Sequence, residues 1–337
     1  MSKQEANSRA ALKTAKKKRK RRKVLWFILI PLFIIIASIS AYVIHLVYEA
    51  EKAVTDAYEE DERDKSALRD EIVDPTKDHI SILFVGVDGS EHRGSNDEPV
   101  RSDALILATL NKNEESIKML SIPRDSYVYI PEVGYQDKIT HAHAFGGINA
   151  TIDAVENFLD VPVDYYVRLN FNAFVDVIDA IGGVEIDVPF EFKESDSNDK
   201  RDAIHLFPGE QTLDGEEALA FARTRKIDND IERGKRQQEI MKSIIEKATS
   251  VNSVFKLDDA FHAVGNNMAT TLSFEDMKGL VSYGTSGSID VETLTLAGSD
   301  LYQNNVYYYS LDEANLAEVQ QVLQEHLELD QHNTVSE

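Results

Sequence analysis

The chain of 337 residues contains no cysteine, which excludes disulfides, Cys-ligated zinc and thiol nucleophiles. Net positive charge is absent outside one end. Residues 1–23 hold eleven Lys/Arg and one Glu, a balance of +10, so the remaining residues carry −33 of a total of −23. A body this acidic is repelled by nucleic-acid phosphates, and DNA and RNA are excluded as partners. Internal repeats and low-complexity linkers are missing as well, and residues 79–327 read most economically as one domain.

What is present starts with an apolar run from Val24 to Val47, interrupted only by Pro31, Ser38, Ser40 and His45. As a helix it reaches ~36 Å at ~1.5 Å per residue, enough to cross a hydrocarbon core of ~30 Å. It is too long for a cleaved signal peptide, and no small-x-small site ends it. The basic block Lys16 to Lys23 on one side and the acidic flank beyond Tyr48 on the other place the N-terminus in the cytoplasm. The expected organisation is a basic cytoplasmic tail (1–23), a transmembrane signal-anchor (24–47), an acidic solvated stalk (48–78), an extracellular domain (79–327) and a flexible tail (328–337). That is a single-pass type II protein of the cell membrane.

The apolar patterning predicts strands at Ile80 to Val87, Ala104 to Leu110 and Ile117 to Ile122, the last stopped by Pro123. Helical spacing follows over Thr151 to Leu159. After a strand at Tyr165 to Leu169 it recurs at Phe174, Val177, Ile178 and Ile181, where Gly182-Gly183 leads into a strand at Val184 to Val188. Lys193 to Arg201 reads as a polar loop, and Leu213-Asp214-Gly215 opens a helix. Further helices are expected around Val254 to Val264, Phe274 to Val281 and Leu311 to Leu327, with a strand near Val291 to Leu296. Strands alternating with helices imply an α/β sandwich, a central mixed sheet flanked by helices.

The most informative stretch is Arg223-Thr224-Arg225 followed by a helix from Asp230 to Ala248. At 3.6 residues per turn, Asp230, Arg233 and Gln237 share a stripe with Ile240, Met241, Ile244, Ile245 and Ala248, while Arg236 falls on the opposite face. The apolar part of that stripe must face a core, so its leading charges point the same way. Buried guanidinium groups need partners: either a salt-bridge network with Asp228 and Asp230, or a multivalent anion such as phosphate, which suits their bidentate geometry. Three more constellations stand at strand ends, where α/β folds place ligands: Gly86-Val87-Asp88, Arg101-Ser102-Asp103 and Arg124-Asp125. Asp88 and Asp103 are either turn residues or carboxylates for a hard cation such as Mg²⁺. His141 and His143 have no third ligand nearby and read as loop or helix-start residues rather than a zinc site.

Together these segments resemble the LytR-CpsA-Psr family of cell-wall proteins. The resemblance rests on the anchor and on Gly86-Val87-Asp88, Arg101-Ser102-Asp103, Ser121-Ile122-Pro123-Arg124-Asp125, Gly182-Gly183-Val184, Arg223-Thr224-Arg225 and Asp230 through Arg233 to Gln237, covering about Ile80 to Lys247. It implies a membrane-anchored phosphotransferase that moves an anionic glycopolymer, typically wall teichoic acid, from a polyprenyl-pyrophosphate carrier to peptidoglycan. By the same resemblance Asp88, Asp103 and Arg124 are catalytic, with Asp88 and Asp103 holding Mg²⁺. Arg101, Arg124, Lys138, Arg223, Arg225, Asp230, Arg233 and Gln237 bind the pyrophosphate. Whether Asp88 is a metal ligand or also the base for a muramic acid hydroxyl stays open. Two positions depart from the family pattern: Ser90 replaces an Arg two residues after the strand-end Asp, and Thr140 replaces an Asn after Lys138-Ile139. A hydrolase acting on the same carrier and a non-catalytic wall-binding module are the alternatives. The lipid needs an apolar slot, for which Phe145, Phe158, Phe171, Phe174 and Phe221 are candidates, although each reads first as ordinary core, since an apolar stripe at helical spacing is what any packed helix shows.

Overall fold

The computed structural model describes residues 65–87, 101–226, 229–249, 267–281 and 289–329, with scattered positions between 45 and 63. The chain divides into two compact units, residues 1–49 and 50–337, and among the described residues every strand lies in the second. Asp88, Arg93, Asp228, the helix expected over Val254 to Val264 and the apolar span apart from His45 lie outside the described residues. Among the described residues no helix is long and apolar enough to cross a membrane.

Strands β1 (Ile80–Val87), β2 (Ser102–Asn111) and β3 (Ser116–Ser121) form an antiparallel meander. β6 (Tyr165–Asn170) joins β1 and β12 (Asp290–Thr295) joins β3, both in parallel, and β11 (Met268–Thr270) closes the far edge against β6. The result is a six-stranded mixed sheet in the order β11-β6-β1-β2-β3-β12. Leu83, Val85, Leu105 and Leu107 point to one face, while Ile80, Ile82, Ile106 and Ala108 point to the other. A strand apolar on both sides must be covered on both sides. Helices α1 (Ile139–Leu159) and α6 (Glu313–His326) cover the first face; α4 (Asp230–Thr249) and α5 (Phe274–Val281) cover the second.

A further core lies beside the sheet. It is built from α2 (Phe171–Ala180), α3 (Gly215–Arg223), the ladder of β7 (Val184–Val188) with β10 (Gly209–Leu213), and the short hairpin of β8 (Phe192–Glu194) with β9 (Ile204–Leu206). Gly183 makes the α2-to-β7 turn at φ +82°, and a Cβ there would sit 2.7 Å from the Leu213 carbonyl, so only glycine fits. Asp214 caps α3, accepting from the Glu217 amide in a reciprocal capping box. Helix α4 belongs to both cores: Ile240 and Ile244 enter the α2-α3 core, while Met241 and Ile245 pack against the sheet. Burial of Ile240 contributes about 2 kcal/mol and the three partly buried side chains add smaller amounts, so α4 is held from two sides.

Several expectations are corrected. Residues 48–78, where described, are not a free stalk: Val54 and Ala57 are buried, and Arg69 forms a bidentate pair with Asp164 at 2.9 and 2.7 Å. The apolar positions there were too sparse to reveal a docking face. The expected loop Lys193 to Arg201 lies between β8 and β9 and gives its first two residues to β8. Leu311 ends a strand, and α6 begins after its cap Asp312. Two hairpins were not anticipated: β4 (Tyr127–Ile130) with β5 (Tyr135–Lys138), and β13 (Gly298–Gln303) with β14 (Val306–Leu311). α1 starts at Ile139 and kinks at Gly146 and Gly147, whose backbones leave the helical region.

His326 locks α6 onto the sheet. It is 3% exposed, with Nδ1 2.7 Å from Thr109 Oγ1 and Nε2 2.8 Å from Ser116 Oγ. Burial, then the charge of Lys118, pushes its pKa down to about 4. Because the unfolded imidazole takes up its proton near pH 6.5 and the folded one does not, this contribution is complete above pH ~6.5 and is lost as pH falls toward about 4, up to ~3 kcal/mol. In urea titrations His326→Gln should therefore show a shallower fall in stability between pH 6.5 and 4 than the parent chain. Parallel pH profiles would rule the histidine out as the source.

Candidate active site

A cavity of about 350 Å³ opens between the second face of the sheet and helices α2, α3 and α4. Its two ends differ in chemistry. Phe84, Ile106, Leu169, Phe171, Phe174, Leu219, Ile240, Met241 and Ile244 line an apolar interior, while Asp103, Arg124, Arg223, Arg225, Arg233 and Gln237 gather at a polar end. Of the aromatic candidates, Phe171 and Phe174 line it; Phe158 and Phe221 are core, and Phe145 is 39% exposed against Tyr135.

Asp103 owes its position to a break in pairing. The β1–β2 register runs Gly86 to Ala104 and then Val87 to Ser102, leaving Asp103 as the extra residue of a bulge. Such bulges re-aim a side chain beside functional sites. Gly86 permits it, since a Cβ there would lie 3.1 Å from that of Ala104. Pro123 ends β3 and its carbonyl accepts from Ser126 N and Oγ at 3.0 and 2.6 Å. This turn delivers Arg124, whose Nη1 donates to Asp103 Oδ1 at 2.6 Å.

Asp125 is central to the neighbouring polar cluster. Lys138, at the start of α1, places Nζ 2.7 Å from Asp125 Oδ1, and Arg124 Nε lies 3.7 Å from Oδ2. Burial would raise the Asp125 pKa, but the Lys138 hydrogen bond, a hydrogen bond with Asp230 and the charges of Lys138 and Arg124 together hold it below the usual carboxylate range. Asp230 also meets Arg233 Nη1 at 3.0 Å and Arg225 Nε at 3.7 Å.

Arg233 is the least solvated cation in the cluster. Its side chain is 7% exposed, and its Nε, buried, has no hydrogen-bond partner. Burial lowers its pKa to about 10; Asp230 opposes this, while Arg225 and Arg124 add to it. Arg223 stacks on Phe171 at 4.8 Å and reaches Asp199 at 3.6 Å. Gln237 Nε2 donates to the Ala222 carbonyl at 3.3 Å.

The expected residues thus separate by position. Asp103, Arg124, Arg223, Arg225, Arg233 and Gln237 meet at one end of the cavity; Lys138 and Asp230 join them through Asp125. Arg101 is exposed and is not among the lining residues. Asp125 was seen in the sequence only as Arg124's neighbour. Arg236, read as outward-facing, is 5% exposed. It donates from Nε to the Phe221 carbonyl at 3.0 Å and from Nη2 to the Thr224 carbonyl at 2.6 Å, pinning the turn that carries Arg223 and Arg225. Among the described residues no group of three acidic or histidine side chains is arranged to hold a metal.

Arg236→Met keeps the stem but removes both charge-assisted bonds, so it should lower stability by about 3 kcal/mol in urea unfolding. An unchanged midpoint would mean that the turn holds itself.

The LytR_cpsA_psr family model matches residues 42–325. The polyisoprenyl-teichoic acid–peptidoglycan teichoic acid transferase TagT of Bacillus subtilis (strain 168) is 40% identical over 321 residues, covering 94% of this chain and 98% of its own. A solved structure of TagT bound to LIIa-WTA matches with a TM-score of 0.68 at 41% identity over 80% of this chain and 99% of that one. A structure of YwtF (TagT) with bound octaprenyl pyrophosphate lipid matches at 38% identity with a TM-score of 0.63, again over 80% and 99%. With motifs, fold and cavity in agreement, this chain belongs to the LytR_cpsA_psr family.

Proposed function

We propose that the protein transfers an anionic cell-wall glycopolymer, wall teichoic acid, from a polyprenyl-pyrophosphate carrier to peptidoglycan. The observation that carries this reading is a single cavity that is apolar along its interior and ends in four arginines. That shape matches an amphiphile with a long apolar tail and a multivalent anionic head. The octaprenyl pyrophosphate held by a relative is such a molecule.

Phosphoryl transfer asks a protein mainly for positioning and for positive charge where oxygens gather negative charge. Arg124, Arg223, Arg225 and Arg233 supply that charge in a partly desolvated end of the cavity. An acceptor hydroxyl attacks the phosphorus that bears the polymer, the bridging P–O bond breaks, and polyprenyl phosphate leaves. The hydroxyl proton passes to a carboxylate at the site. Asp103, one-third exposed beside Arg124, offers a hard oxygen donor of the kind Mg²⁺ takes together with phosphate oxygens. Asp103 and Asp88 would hold Mg²⁺, which when bound would neutralise the phosphate oxygens. The apolar run 24–47 and its basic flank support an anchor in the cell membrane with the body outside, where both substrates lie.

The test is incubation of the full-length protein with lipid-linked teichoic acid precursor, peptidoglycan fragments and Mg²⁺. Polymer should become covalently joined to glycan. Arg124→Ala should slow this by roughly 10²- to 10³-fold, the usual loss for one charge-stabilising donor, and Asp103→Ala and chelation should abolish it. Release of free polymer phosphate would instead identify a hydrolase, and lipid binding without product a wall-binding module.

A further inference from the structure

Four tyrosines stand on the β13–β14 and β4–β5 hairpins beside the site. In the β13–β14 ladder Tyr302 stands opposite Tyr307, with ring centroids 5.5 Å apart. Tyr308 packs 4.8 Å from Tyr127 of β4. Tyr302 is 69% exposed, far from the burial expected of a core aromatic.

This hairpin is fixed to the polar cluster. The Tyr309 amide donates to the Asp125 carbonyl at 2.8 Å. Lys138 Nζ, already paired with Asp125, lies 5.7 Å from the ring centroids of both Tyr307 and Tyr308. Burial, then a hydrogen bond to Asp300 and the charges of Asp300, Asp125 and Asp230, hold the Tyr307 phenol above its usual range. The last two of those charges put the ring in the field of the site's own carboxylates.

Tyrosine rings give rigid, amphipathic contact area at low entropic cost. Here they carry acceptors at their rims: Asp300 Oδ1 accepts from the Tyr307 hydroxyl at 3.1 Å and Gln303 Oε1 from that of Tyr127 at 3.3 Å. A ring with an apolar face and hydroxyl edges, a pyranose, complements both features. Charge decides which substrate. A polyanionic donor would be repelled by Asp300 and by Asp137 next to Lys138, whereas the sugar rings of an acceptor glycan would not. Lys138 links the hairpin to the carboxylates of the site, lying beside both the Tyr307 ring and Asp125.

We infer that the Tyr302–Tyr307 pair forms a stacking platform for the acceptor glycan, seating its sugar rings so that a hydroxyl enters the site beside Lys138, while Tyr308 and Tyr127, on the opposite face of the ladder, brace the hairpin. The inference rests on the transferase reading and adds to it where the second substrate binds.

Two measurements on the full-length protein in detergent test it: transfer kinetics with a soluble peptidoglycan tetrasaccharide varied at saturating donor, and calorimetric titration of the same tetrasaccharide. Loss of one stacked ring in Tyr302→Ala should raise the acceptor KM and the dissociation constant about tenfold, leaving the donor KM unmoved. Tyr302→Phe, which keeps the ring, should stay within about twofold of the parent. If Tyr302→Ala and Tyr307→Ala both keep the parental acceptor KM while transfer proceeds, the platform is overturned and the transferase reading stands. If no protein shows transfer but tetrasaccharide binding is lost in Tyr302→Ala, the platform stands and the transferase reading falls.

Discussion

The structure depends on one costly placement, a guanidinium held out of water at the junction of two cores. Taking the Arg233 charge out of water costs several kcal/mol in effective terms. Asp230 at 3.0 Å offsets part of this, but Asp230 is shared with Arg225 and hydrogen-bonded to Asp125, and the neighbouring arginines work against Arg233. The helix tolerates the cost because it is anchored on both sides. Ile240 and Ile244 are seated in one core and Met241 and Ile245 in the other, and Gln238, 1% exposed, bonds the Met119 and Leu294 carbonyls at 2.8 and 2.9 Å. Buried Ile240 contributes about 2 kcal/mol and the partly buried Ile244, Met241 and Ile245 add to it, which together offset one poorly solvated cation. The unpartnered Nε and the raised local potential are then available to an anion, and they favour a multivalent one.

The rest of the site is assembled from local irregularities around that helix. A bulge turns Asp103 out of β2, a proline-ended strand delivers Arg124, and the Arg236 bonds to two carbonyls hold the arginine turn. None of these is a regular helix or strand position. Regular elements supply the rigidity, and their ends and faults supply the direction of each side chain.

That division explains what the sequence revealed. β1, β2 and β3 were legible because a sheet covered on both faces imposes continuous apolar runs, and α3 because Asp214 and Glu217 form its cap. The hairpins β4–β5 and β13–β14 were not, since half-exposed tyrosines and charges alternate there without an apolar stripe, and only pairing across the turn defines them. Arg236 was misplaced for a more general reason. A helical wheel assumes one buried side, but α4 lies between two cores, so Arg233, Arg236, Gln238 and Ile240 are all buried although they span more than one stripe. That Arg124, Arg223, Arg225 and Arg233 share one site came from the family resemblance, since their residue types and positions alone left a salt-bridge network equally open. The role of Asp125 was not readable, because it depends on the β4–β5 hairpin bringing Lys138 back beside it, opposite Tyr127.

A body carrying −33 outside its first 23 residues is an odd receptor for a polyanion, and the resolution lies in distance and dielectric. Beyond about 8 Å salt screens the repulsion from surface carboxylates at physiological ionic strength. Around the buried Arg233 solvent is largely excluded, and there the same elementary charge acts several times more strongly. Cations are concentrated where the dielectric is low, as Arg233 and the stacked Arg223 show, and many of the anions sit where solvent weakens them. Net charge therefore says little about which ligand this fold holds, while the placement of four guanidinium groups at one end of an apolar cavity says a great deal.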